Sequence, residues 1–105
     1  MSNRAHVARA PRIPLDVEVN CDGNRFVYSR NISESGIALI ADKEFENGQF
    51  VQLKFTLPGT GEEVSAHGKV VRTAAVSENF FEAGVSFWDI ADEDKQRLEG
   101  FFKNQ

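Results

Sequence analysis

Two clusters in this 105-residue chain combine residue types and spacing that can do chemistry. The first is Arg9-Ala10-Pro11-Arg12-Ile13-Pro14, near the N-terminus. An arginine guanidinium is a planar fork of donors that grips a phosphate or a guanine edge through paired hydrogen bonds. Pro11 and Pro14 stiffen the segment and lower the entropy lost when it is held. The second is Asn31-Ile32-Ser33-Glu34-Ser35-Gly36. Asn31 can bond its own backbone two residues on and shape a turn. Ser33 brings a hydroxyl that donates and accepts. Gly36 admits a close backbone approach or an unusual φ. Taken singly, both clusters are ordinary: a solubilising charge pair and a polar turn. Together they imply an anionic nucleotide held by the chain.

The charge distribution points the same way. Residues 1–14 carry Arg4, Arg9 and Arg12 and no acid. That segment is +3, which leaves −7 on the remainder of a chain whose formal net charge is −4. A basic arm on an acidic body suits an anionic partner held at the arm. The net negative charge argues against DNA or RNA as that partner. A hydrophobic content of 41% and a charged content of 27% are those of a globular protein. No apolar run approaches the roughly 20 residues that cross a bilayer. The N-terminus lacks the apolar core of a signal peptide. The expected location is therefore the cytoplasm, without membrane insertion. A monomer or a weak homodimer is expected.

Catalysis finds little support. Cys21 is the only cysteine, with no His or Asn placed to make a dyad. There is no Gly-rich phosphate loop and no paired nucleophile and base. His6 and His67 have no cysteine or carboxylate cluster around them in sequence, so neither a metal nor a cofactor is expected. Glu62-Glu63 and Asp92-Glu93-Asp94 read as a solvated turn and an acidic helix start.

The elements that must position the two clusters are mostly strands. Leu15, Val17 and Val19 alternate with Asp16, Glu18 and Asn20, the period of a half-buried strand. Cys21-Asp22-Gly23-Asn24 is turn chemistry, and Arg25 to Arg30 pairs back as a hairpin. Asn31 to Gly36 interrupts, and Gly36 to Ala41 forms another strand. Val51, Leu53, Phe55 and Leu57 give the clearest alternation, followed by Val64, Ala66, Gly68 and Val70. Gly68 marks a bulge or a close approach. Phe81, Ala83, Val85 and Phe87 form the inner face of the last strand. The nine Phe are expected mostly in the core. From Asp89 to Lys103 the period changes, and Leu98, Phe101 and Phe102 make one helical stripe. About six short strands and a terminal helix favour a small antiparallel barrel, because closure removes exposed edges.

The two clusters, in this order, resemble the PilZ family of bacterial cyclic di-GMP receptors. That family carries R-x-x-x-R ahead of the first strand and D/N-x-S-x-x-G after the second. Asn31, Ser33 and Gly36 match the second motif in full. Gly68-Lys69-Val70-Val71-Arg72 and Gly84-Val85-Ser86-Phe87, followed by the acid-rich helix, extend the likeness over residues 9 to 102. The first motif departs from the pattern. Arg12 runs into the first strand, but Ala8 stands four residues before it, so the chain offers R-x-x-R through Arg9.

The resemblance implies a mainly β fold, a six-stranded antiparallel PilZ-type β-barrel with a C-terminal α-helix. It divides the chain into a flexible basic arm, residues 1–14, and the barrel with its helix, residues 15–105. It implies a non-catalytic cyclic di-GMP (c-di-GMP) receptor in second-messenger signalling. Arg9, Arg12, Asn31, Ser33 and Gly36 would bind the ligand. Arg4, Arg72 and Trp88 are further candidates. The arm would close on the ligand and present a surface to a downstream protein. The alternative is a PilZ-like adaptor that works by protein contacts without c-di-GMP, and the altered arginine spacing is its main support.

Overall fold

The computed structural model describes residues 11–105, so Arg4, His6, Ala8 and Arg9 lie outside the described residues. Seven strands and one helix follow in chain order. The strands are β1 (Ile13–Pro14), β2 (Glu18–Cys21), β3 (Arg25–Ile32), β4 (Gly36–Ala41), β5 (Phe50–Thr56), β6 (Glu63–Ala75) and β7 (Phe81–Asp89). The helix is α1 (Asp92–Lys103). Strand order β3-β2-β5-β6-β7-β4 closes through a β3–β4 pairing into a six-stranded antiparallel barrel. The short β1 adds to β3, pairing Ile13 with Ile32 and Pro14 with Asn31. The expected barrel with a C-terminal helix is thus observed, with one extra strand.

Alternation decides which side chains fill the barrel. In β5, Val51, Leu53 and Phe55 are buried and the residues between them are exposed. In β6, Val64, Ala66 and Val70 point in, and the ladder with β7 slips between His67 and Gly68, where Gly68 was expected to mark a bulge. Ile37 and Leu39 of β4 and Ala83 and Val85 of β7 complete the interior. Leu98 and Phe101 of α1 join the same continuous core, and Phe102 packs beside it. Arg97 ties the helix to the start of β6 by donating to the Glu63 carbonyl, 3.2 Å away. No side chain caps the helix, but Asp92, Glu93 and Asp94 in its first turn and Lys103 in its last complement the helix dipole.

Three sequence expectations need correction. The alternation from Leu15 to Val19 is not one strand. The regular ladder is interrupted at Leu15–Val17, where backbone bonds to Arg30 and Ser29 remain and the buried Ser29 hydroxyl inserts between them. That hydroxyl accepts from the Val17 N–H (3.0 Å) and donates to the Leu15 carbonyl (2.8 Å). The interruption expected from Asn31 to Gly36 is shorter, because Asn31 and Ile32 belong to β3 and only Ser33 to Ser35 lie between strands. The phenylalanines are not mostly core. Phe45, Phe55 and Phe101 are buried, whereas Phe26, Phe50 and Phe80 are exposed. Phe26 and Phe50 each precede an inward valine, so the strand period turns them out.

Candidate functional site

The polar turn is built into the barrel wall. Its two flanking isoleucines, Ile32 and Ile37, are anchored in the core. Between them the Ser33 N–H donates to the Gly36 carbonyl at 2.8 Å. The Ser33 hydroxyl accepts from the Ser35 N–H at 3.2 Å and lies 3.1 Å from the Ser35 hydroxyl. Ser33 is buried, so this hydroxyl shapes the turn from within. The Ser35 carbonyl in turn accepts from the Phe87 N–H at 2.9 Å, which fastens the turn to β7. Gly36 is required sterically, not for its φ. A Cβ there would run into the Val85 carbonyl. Only a residue without a side chain lets β4 lie this close to β7.

Asn31 faces outward at the end of β3. Its Oδ1 accepts from Arg12 Nη1 at 2.6 Å. This bond joins the two clusters that the sequence keeps nineteen residues apart. It forms because β1 pairs Pro14 with Asn31, which sets Arg12 just past the same row. That row continues across the barrel. Asn31 pairs with Ala38, Ala38 with Gly84 and Gly84 with Arg72. Ile37, Leu39, Ala83 and Val85 point into the core, so Ala38 and Gly84 between them lie on the outer side of the wall, where both are nonetheless buried. The row therefore reads as polar ends, Arg12 with Asn31 and then Arg72, on a floor of two small residues. A Cβ at Gly84 would stand 3.0–3.2 Å from the Arg72 guanidinium, which lies against that floor.

Of the other candidates, Trp88 is 63% exposed and meets Phe50 edge-to-face, with centroids 5.8 Å apart. It lies further along β7, past Ser86, apart from the Arg12–Asn31 pair. Arg4 and Arg9 fall outside the described residues. Sequence reasoning missed Arg30 and Glu82. Glu82 bonds both Arg30 (3.4 Å) and Arg72 (3.6 Å) on the outer face. No local pattern announces this triad, because a ladder slip between Ser29 and Asn31 decides where Arg30 lies.

Two rival sites carry less. A cleft of about 320 Å³ opens between Glu34, the end of β7 and α1. Its charged lining is Glu34, Asp89 and Glu99 against Lys95 alone, the wrong balance for an anion. Cys21 is buried, and burial pushes its thiol up to about 11, with Asp22 adding to the effect. It is a protonated core group, not a nucleophile. Among the described residues no group of three His, Cys, Asp or Glu could hold a metal ion. No helix among them is long and apolar enough to cross a membrane.

The chain is thus a closed antiparallel barrel with a terminal helix and an Asn-x-Ser-x-x-Gly turn on its wall. The family model for the PilZ domain matches residues 3–104, and the chain belongs to that family. No functionally curated protein matches it in sequence. Among solved structures it is similar to the Bacillus subtilis inhibitor of motility, MotI/DgrA, with TM-score 0.78 and 22% identity over 100% of this chain and 52% of that one. It is also similar to the K. pneumonia MrkH–c-di-GMP complex, with TM-score 0.76 and 18% identity over 99% of this chain and 52% of that one. A third is the PilZ domain of CeSA from a cellulose-synthesizing bacterium, with TM-score 0.61 and 18% identity over 86% of this chain and 92% of that one. At these identities the likeness is one of fold. The chain spans about half the length of MotI and MrkH.

Proposed function

We propose that this chain is a c-di-GMP receptor domain and that the ligand lies across the outer row from Arg12 and Asn31 toward Arg72. The observation that carries the reading is the Arg12–Asn31 hydrogen bond. It brings an arginine of the first motif onto the leading residue of the second, in a chain of the PilZ family. Arg12 supplies paired donors for a ligand phosphate or the O6/N7 edge of a guanine. Asn31 gives up its bond to Arg12 and presents its amide to the base. Ser33 and Gly36 act by holding the turn in shape. The solved c-di-GMP complex of MrkH, which shares the fold, supports the choice of ligand.

Arg9, and with it Arg4, is assigned to the remaining phosphate contact, on the part of the basic arm that precedes β1 and closes over the ligand. The closed arm would offer a new surface to a downstream protein. Each charge-assisted bond contributes roughly 1.5–3 kcal/mol. Three or four of them, less the cost of ordering the arm, reach micromolar affinity at about −8 kcal/mol. The domain works by binding and not by catalysis, in the cytoplasm.

A second reading, an adaptor that acts without c-di-GMP, is favoured by the spacing of Arg9 and Arg12, three residues apart with Ala8 at the fourth. Titration calorimetry with c-di-GMP separates the two. The receptor gives saturable heat with a micromolar Kd. No heat at about 100 µM ligand, far above such a Kd, leaves the adaptor.

A further inference from the structure

The receptor reading gives Arg72 a role but leaves its neighbours Glu82 and Arg30 without one. Arg30 of β3, Glu82 of β7 and Arg72 of β6 meet on the outer wall. Glu82 Oε2 lies 3.4 Å from Arg30 Nη1, and Oε1 lies 3.6 Å from Arg72 Nη1. Both carboxylate oxygens are thus engaged, each by a different guanidinium. The Glu82 side chain is only 19% exposed beneath them, whereas those of Arg30 and Arg72 are about half exposed.

The cluster borders the row described above. Arg72 lies against Gly84, one strand from Ala38 and two from Asn31. At the usual strand spacing, the three steps from Asn31 to Arg72 cover about 14 Å. The residues between them, Ala38 and Gly84, are small and buried, with the Arg72 guanidinium lying over Gly84, so a ligand that reaches this strip displaces that side chain and has an arginine at each end.

We propose that Glu82 is an internal competitor for a ligand phosphate. In the empty domain it neutralises Arg72, and a phosphodiester of the ligand takes its place. This rests on the receptor reading and adds the residue that tunes it. Three observations support it. The triad carries one net positive charge while Glu82 is ionised, and removing that charge leaves two. The carboxylate's contacts to the half-exposed guanidiniums, at 3.4 and 3.6 Å, are long for charge-assisted bonds, so a phosphate can take the place of one of them. Arg30 meets Oε2 and Arg72 meets Oε1, so the contact to Arg30 can persist when Arg72 turns to the ligand.

The test is calorimetry of c-di-GMP with the whole chain and three variants, each checked for an unchanged thermal midpoint. Glu82→Gln keeps the shape and removes the charge. It should tighten binding about two- to fivefold, the range set by a weak ion pair. Arg72→Ala should weaken binding about tenfold. In the Glu82→Gln/Arg72→Ala double variant the gain from Glu82→Gln should fall by half or more, because its beneficiary is gone. Wild-type binding with an unchanged or weaker Glu82→Gln overturns the competitor and leaves the receptor standing. A weaker Glu82→Gln would mean that the carboxylate itself receives a guanine edge. If neither wild type nor Glu82→Gln binds at about 100 µM, the receptor reading falls, and the competitor with it.

Discussion

The polar turn and the guanidiniums beside it are held in opposite ways. In the turn, Ser33 is buried, its hydroxyl is bonded to Ser35, and Gly36 is pressed against the Val85 carbonyl. Among the guanidiniums, Arg12 rests on the Asn31 amide, and Arg30 and Arg72 rest on one shared carboxylate. The turn is packed and satisfied before any ligand arrives. The arginines sit on replaceable partners at the surface. The motif serine and glycine thus build a frame, and the arginines carry the exchangeable contacts. Frame residues should cost stability when changed, and contact residues should cost affinity.

Gly36→Ala should have the largest effect. The new Cβ meets backbone that cannot move without parting β4 from β7, at roughly 3 kcal/mol or outright failure to fold. A urea midpoint equal to wild type would break the distinction at its strongest point. Arg12→Ala comes next. It should lower c-di-GMP affinity about tenfold or more in calorimetry, with the thermal midpoint unchanged. A destabilised Arg12→Ala with intact binding would reverse the roles. Ser33→Ala should cost about 1–2 kcal/mol in urea unfolding, since it removes the hydroxyl's two contacts to Ser35, with a smaller loss of affinity than Arg12→Ala. The mildest for the fold is Gly84→Ala. The atoms nearest its Cβ belong to the flexible Arg72 guanidinium, so stability should change by less than about 0.5 kcal/mol while c-di-GMP binding weakens several-fold. Gly36→Ala and Gly84→Ala are the same substitution on neighbouring strands. Similar stability losses in both would show that the outer row is frame as well.

Where the fold was legible, the signal was local. Val51-Gln52-Leu53-Lys54-Phe55 carries its own period of two, and the structure keeps it. The helical stripe of Leu98 and Phe101 is equally self-contained. What failed depended on distant partners. At the break between β1 and β2 the Ser29 hydroxyl serves the Leu15 carbonyl and the Val17 N–H, while the Leu15 N–H and the Val17 carbonyl keep backbone bonds to β3. The reach of Arg72 over Gly84 depends on a register slip between Val70 and Arg72, which no composition rule reveals. The turn motif was readable as a motif, but its division of labour was not. Whether Ser33 faces a ligand or its own loop is decided by burial, and burial is a property of the closed barrel.

The central claim is that ligand lies on the row from Arg12 and Asn31 to Arg72. An amide-resolved NMR titration with c-di-GMP tests it most directly. The account predicts shifts at Asn31, Ala38, Gly84 and Arg72, with Phe26, Asn20 and Lys54 on the β3–β2–β5 wall unmoved. Shifts confined to the cleft of Glu34, Lys95 and Phe102, or no shifts at saturating ligand, would contradict it.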